Sequence, residues 1–402
     1  MIDFIKKHKF IIILFFLSFI IRLIYILIVK TPIISDFKTM YDASIELLNH
    51  THKYRNTPYF LFWGYQMGHV FYQYILLKLI NSVLFLKIIN TIITSLITVF
   101  IYLISSKYCS KIASKTISIV YMLFPFPLFL NSVLTNQHLP LLLILISIYI
   151  LINMDFKNKT IFKNILIGLL LGLSNILRSE AIVILFSILI FLIIICNKIK
   201  IKNLITCFSL IIISYFIITS GTSYIFKKTN ISKNGLSNQN TYWKFVCGLN
   251  HETSGMYTEE DAAIYSNNKE LAKKEAINRF KKVNKLPVLF VKKAKILWFN
   301  SDLSWSIGHI NNNKTYKIFN TINQIFIVVF ILLALLSINK LFKYDYVYLI
   351  SFIILFIYTG VYMLIEVMPR YAYSLHPFIA ILGAYGLDNV IRLFCNKKTL
   401  DK

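Results

Sequence analysis

Phe10–Lys30 reads FIIILFFLSFIIRLIYILIVK, and Pro32–Leu48, almost directly after it, reads PIISDFKTMYDASIELL. The first stretch is apolar over the roughly 20 residues that a hydrocarbon core of about 30 Å demands of a helix. No small-residue cleavage site follows and Arg22 interrupts the run, so residues 10–29 read as a first span rather than a signal peptide. The second stretch is amphipathic: Phe37, Met40, Tyr41, Ser44, Ile45 and Leu48 keep the i, i+3, i+4, i+7 rhythm of one helical face. That spacing predicts a helix lying along the membrane surface, with Asp36, Asp42 and Glu46 gathered at the mouth of the first span.

The first pattern recurs along the chain. Of 402 residues 57% are hydrophobic, including 25 Tyr and 33 Phe, which is too apolar for a chain whose surface must face water. Backbone polar groups cannot be left unpaired against lipid, so the recurring apolar runs must be helices, and the expected class is an all-α, polytopic integral membrane protein. The runs suggest about ten spans: 10–29, 84–105, 116–132, 138–153, 163–177, 180–197, 204–226, 318–338, 346–365 and 371–394.

The formal charge of +26 comes from lysines clustered between spans, not along one soluble face, so nucleic acid is not the expected partner. The clusters are Lys6, Lys7 and Lys9; Lys107, Lys111 and Lys115; Lys157, Lys159 and Lys163; Lys198, Lys200 and Lys202; Lys340 and Lys343; and Lys397, Lys398 and Lys402. Placing them all in the cytoplasm satisfies the positive-inside rule and puts both termini on the cytoplasmic side of a cell membrane. The segment 60–80 would invert every later cluster if it crossed. Its Gln66, His69 and Gln73 share one helical face while Val70, Tyr74 and Leu77 share another, which predicts a second surface-lying helix.

Three regions follow: a transmembrane module over 1–226 with a first external loop at 30–83, an extracytoplasmic helical cap at 227–316, and C-terminal spans at 317–402. Within the cap, Thr258–Asp261 predicts a helix start of capping-box type, Ala272, Ala276, Phe280 and Val283 an apolar stripe on a basic helix, and Pro287 the opening of a third helix ending near Trp298. Cys109, Cys196, Cys207 and Cys395 fall at or near the cytoplasmic side, leaving Cys247 alone in the oxidising compartment, so no external intrachain disulfide is expected. No Cys-x-x-Cys, His-Glu-x-x-His or Gly-rich phosphate loop occurs, and neither zinc nor nucleotide has a sequence signature.

With this topology the unusual polar groups converge outside: Asp36, Asp42, Glu46; Asn136, Gln137, His138; Arg178, Glu180; Asn250, His251, Glu252; Glu366, Arg370, His376. Charge near membrane depth costs roughly 2.5 to 3.5 kcal/mol, so Arg22, Arg178 and Arg370 need a partner or a function. Asp36 reads as the N-cap of its helix or as a general base that takes a proton from an acceptor hydroxyl, and one carboxylate can do both. Asp42 and Glu46 read as a solvated edge near Lys38. Arg178 and Arg370 have the geometry for a phosphate, or for ion pairs with Glu180 and Glu366. Arg22 reads as the partner of an inward-facing acid, and His138 and His376 as packed, hydrogen-bonded histidines with no metal spacing.

Several stretches together resemble the GT-C superfamily of polytopic glycosyltransferases: ISDFKTMYDASIELL, WGYQMGHVFYQ, SVLTNQHLPLLLIL, NILRSEAIV, VCGLNHETSGMYTEED and EVMPRYAYSLHPFIAILGAYGL. The likeness is to the bacterial branch related to protein O-mannosyltransferases and to the aminoarabinose transferases of lipid A. It implies two surface-lying helices in the first external loop, Asp36 as catalytic base, and donor phosphate held by Arg370 and Arg178. Asp42, Gln66, His69, Gln137, His138, Asn250 and Glu366 are further candidates for substrate contact. Ser179 stands where relatives often have Pro, and Gln137 where they often carry an acid, which weighs against an acidic or metal role there.

The implied reaction is inverting transfer of a sugar from a polyprenyl-phosphate donor to an acceptor hydroxyl outside the membrane, with no cofactor and no metal. The partners implied are that donor, a glycan, lipid or protein acceptor, and membrane lipids. A flippase for lipid-linked saccharides is the first alternative, although no repeat with matched Gly or Pro interruptions is visible. An O-antigen ligase or polymerase using a lipid pyrophosphate is the second.

Overall fold

The computed structural model describes residues 2–155, 160–195, 201–310, 313–343 and 345–394. Lys157, Lys159, Lys198, Lys200, Lys397, Lys398, Lys402, Cys196 and Cys395 lie outside the described residues. Every regular element among the described residues is a helix, and a single isolated bridge joins Trp63 to Asn238. Six helices are long and apolar enough to cross a membrane, over His8–Ile28, Val83–Ser105, Ile201–Lys228, Lys314–Leu335, Tyr346–Leu364 and His376–Phe394, and three shorter apolar helices cover His138–Ile152, Ile161–Leu177 and Ala181–Ile194.

The first helix shows why a membrane is required. Leu14, Ser18, Arg22 and Ile26, spaced four apart, are buried, whereas Phe16, Ile20, Ile24 and Leu27 on the other side stand about half exposed. An apolar stripe of that length is unfavourable in water, so the surroundings must be hydrocarbon and the chain is a helical membrane protein. Arg22 finds no acid: it donates to the Ser18 hydroxyl, the Ser18 carbonyl at 3.4 Å and Thr98 Oγ1 at 3.4 Å. Ser18 on its own helix and Thr98 on Val83–Ser105 stand in place of the expected carboxylate, and Arg22 Nε has no hydrogen-bond partner among the described residues.

Residues 116–132 are not one continuous span. The chain is helical over Lys111–Met122, turns at Leu123 and Phe124, and resumes over Pro125–Leu130. Pro125 explains the break: it has no N–H to continue the ladder and pushes the preceding Phe124 into extended backbone, φ −62° and ψ 121°. Other helices start where a side chain caps them, as when Ser82 accepts from Phe85 N and Asp345 from Val347 N and Tyr348 N.

The helix expected after the first apolar run occupies Ser35–Leu48, burying Phe37, Met40, Ala43, Ser44 and Leu47. Segment 60–80 is divided into Pro58–Phe62, a 3-10 turn at Gly64–Gln66 and Met67–Leu79, each too short to span. Residues of both its faces are packed: His69 and Gln73 are buried, and so are Val70 and Leu77. Gly68 permits this, because a Cβ there would lie 1.8 Å from the Ile176 carbonyl oxygen. The long helix Met67–Leu79 thereby packs against the end of Ile161–Leu177, one residue short of Arg178.

In the cap, Thr258 Oγ1 accepts from Asp261 N and opens Glu259–Tyr265; Lys269–Phe280 buries Ala272 and Ala276 but leaves Phe280 exposed, as is Val283 in the 3-10 turn that follows; and Leu286–Phe299 starts with Pro287 in its first turn. The expected stripe therefore ends at Ala276. Gly248 seats the cap on the spans, since a Cβ there would come within 2.2 Å of the Ile365 carbonyl carbon.

Candidate functional site

A cavity of about 600 Å³ opens where these elements meet. Its wall comes from the segments 35–40, 59–66, 135–137, 178–180, 236–259 and 362–371 together with Trp305, that is, from the connections at one end of the helix bundle. Lys107, Lys111, Lys115, Lys163, Lys202, Lys340 and Lys343 lie at the opposite helix ends. Helices join the two ends: Ile161–Leu177 starts beside Lys163 and leads into Arg178, and Tyr346–Leu364 starts after Lys343 and leads into Glu366.

Asp36 is in the first turn of its helix, but it does not cap it. The N-cap position is Ile34, in extended backbone, with no side-chain cap bond, and Ser35 makes the turn into the helix at φ 53°. The carboxylate is left to look into the cavity, near the positive end of the helix dipole. Its Oδ2 lies 3.8 Å from Arg370 Nη2, and its side chain is 47% exposed.

Arg370 sits in a 3-10 turn over Pro369–Ser374 with its side chain 9% exposed. The guanidinium lies over the rings of Trp305 at 4.4 Å and Phe37 at 5.3 Å. These aromatic faces hold the charge without consuming its donors. Nη1 has no hydrogen-bond partner among the described residues, and the Arg370 carbonyl accepts from Gln137 Nε2 at 3.1 Å. Gln137 thus positions the backbone that carries Arg370.

Arg178 follows the last turn of Ile161–Leu177 in extended backbone. Its Nε donates to Glu180, and its Nη1 donates to Asn136 Oδ1 at 2.8 Å, while Asn136 Nδ2 donates to Gln66 Oε1 at 2.9 Å. Glu180 is further occupied by Ser374 Oγ at 2.7 Å and Tyr362 OH at 3.3 Å. Arg178 is therefore both a cavity wall and one half of an ion pair.

Glu366 pairs with Lys244, not with Arg370, and Tyr371 OH donates to its other oxygen at 3.3 Å. Burial alone would raise the Glu366 pKa, but the Lys244 ammonium outweighs it and holds the carboxyl below its ordinary value. Tyr59, also on the wall, moves the other way: burial, with Asp36 adding to it, keeps the phenol protonated well above its ordinary range.

The remaining candidates stand away from the cavity. Asp42 is exposed and paired with Lys38 at 2.7 Å, and Glu46 accepts from Tyr54 N at 2.8 Å. His69 is buried, and burial pulls its pKa down to about 3. His138 is held between Tyr373 OH at 2.8 Å and the Leu130 carbonyl at 3.2 Å. His376 packs against Phe124 and Phe126 with both ring nitrogens unpartnered. Asn250 bonds Asp261 Oδ2 at 2.8 Å and Glu252 N at 3.0 Å, a loop-closing role inside the cap.

The structure adds Lys244, Trp243, Trp63 and Trp305 to the wall. Trp243 and Lys244 lie in the short cap helix Tyr242–Gly248, and Trp305 in the link between cap and span. The density of aromatics in YWKFVCG and SDLSW was the available signal, but nothing local says which cavity such residues face.

No protein-family model and no curated protein matches this chain.

Proposed function

We propose that this protein is a membrane glycosyltransferase of GT-C type, moving a sugar from a polyprenyl-phosphate donor to an acceptor hydroxyl at the extracytoplasmic face. The observation that carries the reading is the convergence of Asp36, Arg370 and Arg178 on one cavity at the helix ends opposite the basic clusters. With those clusters in the cytoplasm, the cavity opens outside, where lipid-linked donors replace nucleotide sugars.

The cavity's charged groups divide into occupied and available. Glu180 accepts from Arg178 and two hydroxyls and Glu366 from Lys244 and one, whereas among the described residues Asp36 has an ion-pair contact with Arg370 across 3.8 Å and no hydrogen bond. A carboxylate in that state can take the proton of an acceptor hydroxyl as its oxygen attacks C1 of the sugar. The bond from C1 to the phosphate oxygen breaks, and its electron pair leaves with the lipid phosphate. Arg370, with Nη1 unpartnered among the described residues, supplies donors to the charge that develops there, and the burial of its side chain strengthens that contact. Attack and departure on opposite sides of C1 invert the anomeric centre.

The test is to supply the protein in nanodiscs with a radiolabelled polyprenyl-phosphate sugar and extracted cell-envelope acceptors. Label should pass to the acceptor as free polyprenyl phosphate accumulates. In sealed vesicles, movement of intact donor between leaflets with no glycoside formed would support a flippase and refute the transferase.

A further inference from the structure

Lys281–Lys295 reads KKVNKLPVLFVKKAK, with six lysines and no Asp or Glu. Most of it belongs to the helix Leu286–Phe299, which divides into two arcs. Leu286, Leu289, Lys293, Ile296 and Leu297 are buried. The opposite arc carries Val288, Val291, Lys292, Lys295 and Phe299, spaced i, i+3, i+4, i+7 and i+11. There Val288 is 60%, Val291 71% and Phe299 40% exposed, and Val283, in the preceding turn, is 62% exposed. Single exposed apolar residues are ordinary, but several on one arc, interleaved with lysines, form a surface with a preferred medium.

Hydrogen bonds fix the level of that arc. Gln324 Nε2 donates to the Phe299 carbonyl at 2.9 Å, and Ser301 bonds Asn320. Asn320 and Gln324 belong to Lys314–Leu335, one of the helices long enough to cross a membrane. On the buried arc, Lys293 Nζ donates to the carbonyls of Met363 at 2.8 Å and Ile365 at 2.7 Å, where Tyr346–Leu364 ends, and to Gly248 at 2.7 Å. The helix therefore lies beside the end of one helix long enough to cross a membrane and the first turns of another.

We propose that the outer arc of Leu286–Phe299 is an interfacial anchor that binds anionic lipid headgroups. Val288, Val291 and Phe299 enter the acyl boundary. Lys292 and Lys295 lay their stems along it and bring their ammonium groups to lipid phosphates, with Lys281, Lys282 and Lys285 adding positive charge from the turn. A soluble polyanion would use the lysines but leave the valines in water. The same helix holds the cavity wall through Lys293, so the anchor fixes that wall against the bilayer.

The experiment places an environment-sensitive fluorescent amino acid at position 291 of the full chain in phosphatidylcholine nanodiscs. Brominated phosphatidylglycerol or brominated phosphatidylcholine is then added as the minor lipid. The probe should be quenched by both, with a preference for the anionic lipid of roughly fivefold for each lysine held at the headgroups. Lys292→Gln with Lys295→Gln, both at exposed positions, should reduce that preference while quenching by brominated phosphatidylcholine persists. The same probe at exposed Asn278 gives the aqueous reference, quenched by iodide. Quenching at 291 by iodide in place of bromolipid, or equal quenching by the two lipids, overturns the proposal. Neither result bears on whether sugar is transferred.

Discussion

Arg370 Nη2 stands 3.8 Å from Asp36 Oδ2 while its guanidinium lies 4.4 Å over Trp305. That separation is too long for a hydrogen bond yet well within Coulombic reach. The two charges face a shared space, unlike the Arg178–Glu180 pair, whose members are hydrogen-bonded to each other and to their neighbours. An anion and a hydroxyl brought into that space would meet one free positive group and one free negative group.

Arg370→Lys should weaken donor binding at least about tenfold, or about 1.4 kcal/mol, with the fold retained. Lysine keeps the charge but loses the flat fork that stacks on Trp305 and reaches two oxygens at once. Titration of polyprenyl-phosphate sugar against wild type and variant checks this, with thermal unfolding as the control.

Glu180→Gln should destabilise the protein by about 3 kcal/mol, because it strips the partner from a mostly buried guanidinium. Thermal unfolding in detergent reads the loss. Asp42→Asn, which removes only an exposed i,i+4 pair with Lys38, should change stability by less than about 0.5 kcal/mol.

Lys293→Met should loosen the cap from the spans. It leaves the carbonyls of Gly248, Met363 and Ile365 buried with one donor fewer each, at a cost of about 3 kcal/mol. Faster proteolysis within 246–285 is the expected result.

These contacts show which parts of the molecule the sequence could disclose. Local periodicity predicted the helix Ser35–Leu48, and Phe37, Met40 and Ser44 of its stripe are buried, though the packed face extends to Ala43 and Leu47 because Met67–Leu79 covers the helix from the side. Pro125 marked the break in residues 116–132, but a long apolar run around it outweighed the signal. Asp36 and Arg370 stood out because charge beside a span is costly. The Lys244–Glu366 pair and the seat of Arg370 on Trp305 join residues far apart in the chain, and no short-range pattern encodes such meetings.

Acid should open the cap. Asp261 accepts from Arg279 at 2.7 and 2.8 Å and from Asn250 at 2.8 Å. Burial alone would raise its pKa, but Arg279 and Asn250 hold the carboxyl below its ordinary 3.8. With the folded value depressed, the unfolded chain binds the proton more tightly. The stabilisation is complete above about pH 5 and drains away as pH falls through the ordinary value toward the folded one. Protection from hydrogen exchange at Glu259–Tyr265, relative to the unfolded chain at the same pH, should fall below about pH 4, and Asp261→Asn should remove that dependence.

The most direct measurement of the central claim compares wild type with Asp36→Asn for both donor binding and sugar transfer, in nanodiscs with the same polyprenyl-phosphate sugar. The account predicts binding within about threefold of wild type and transfer reduced by roughly 10² or more, the typical share of a general base. Transfer at the wild-type rate in the Asp36→Asn variant would contradict it.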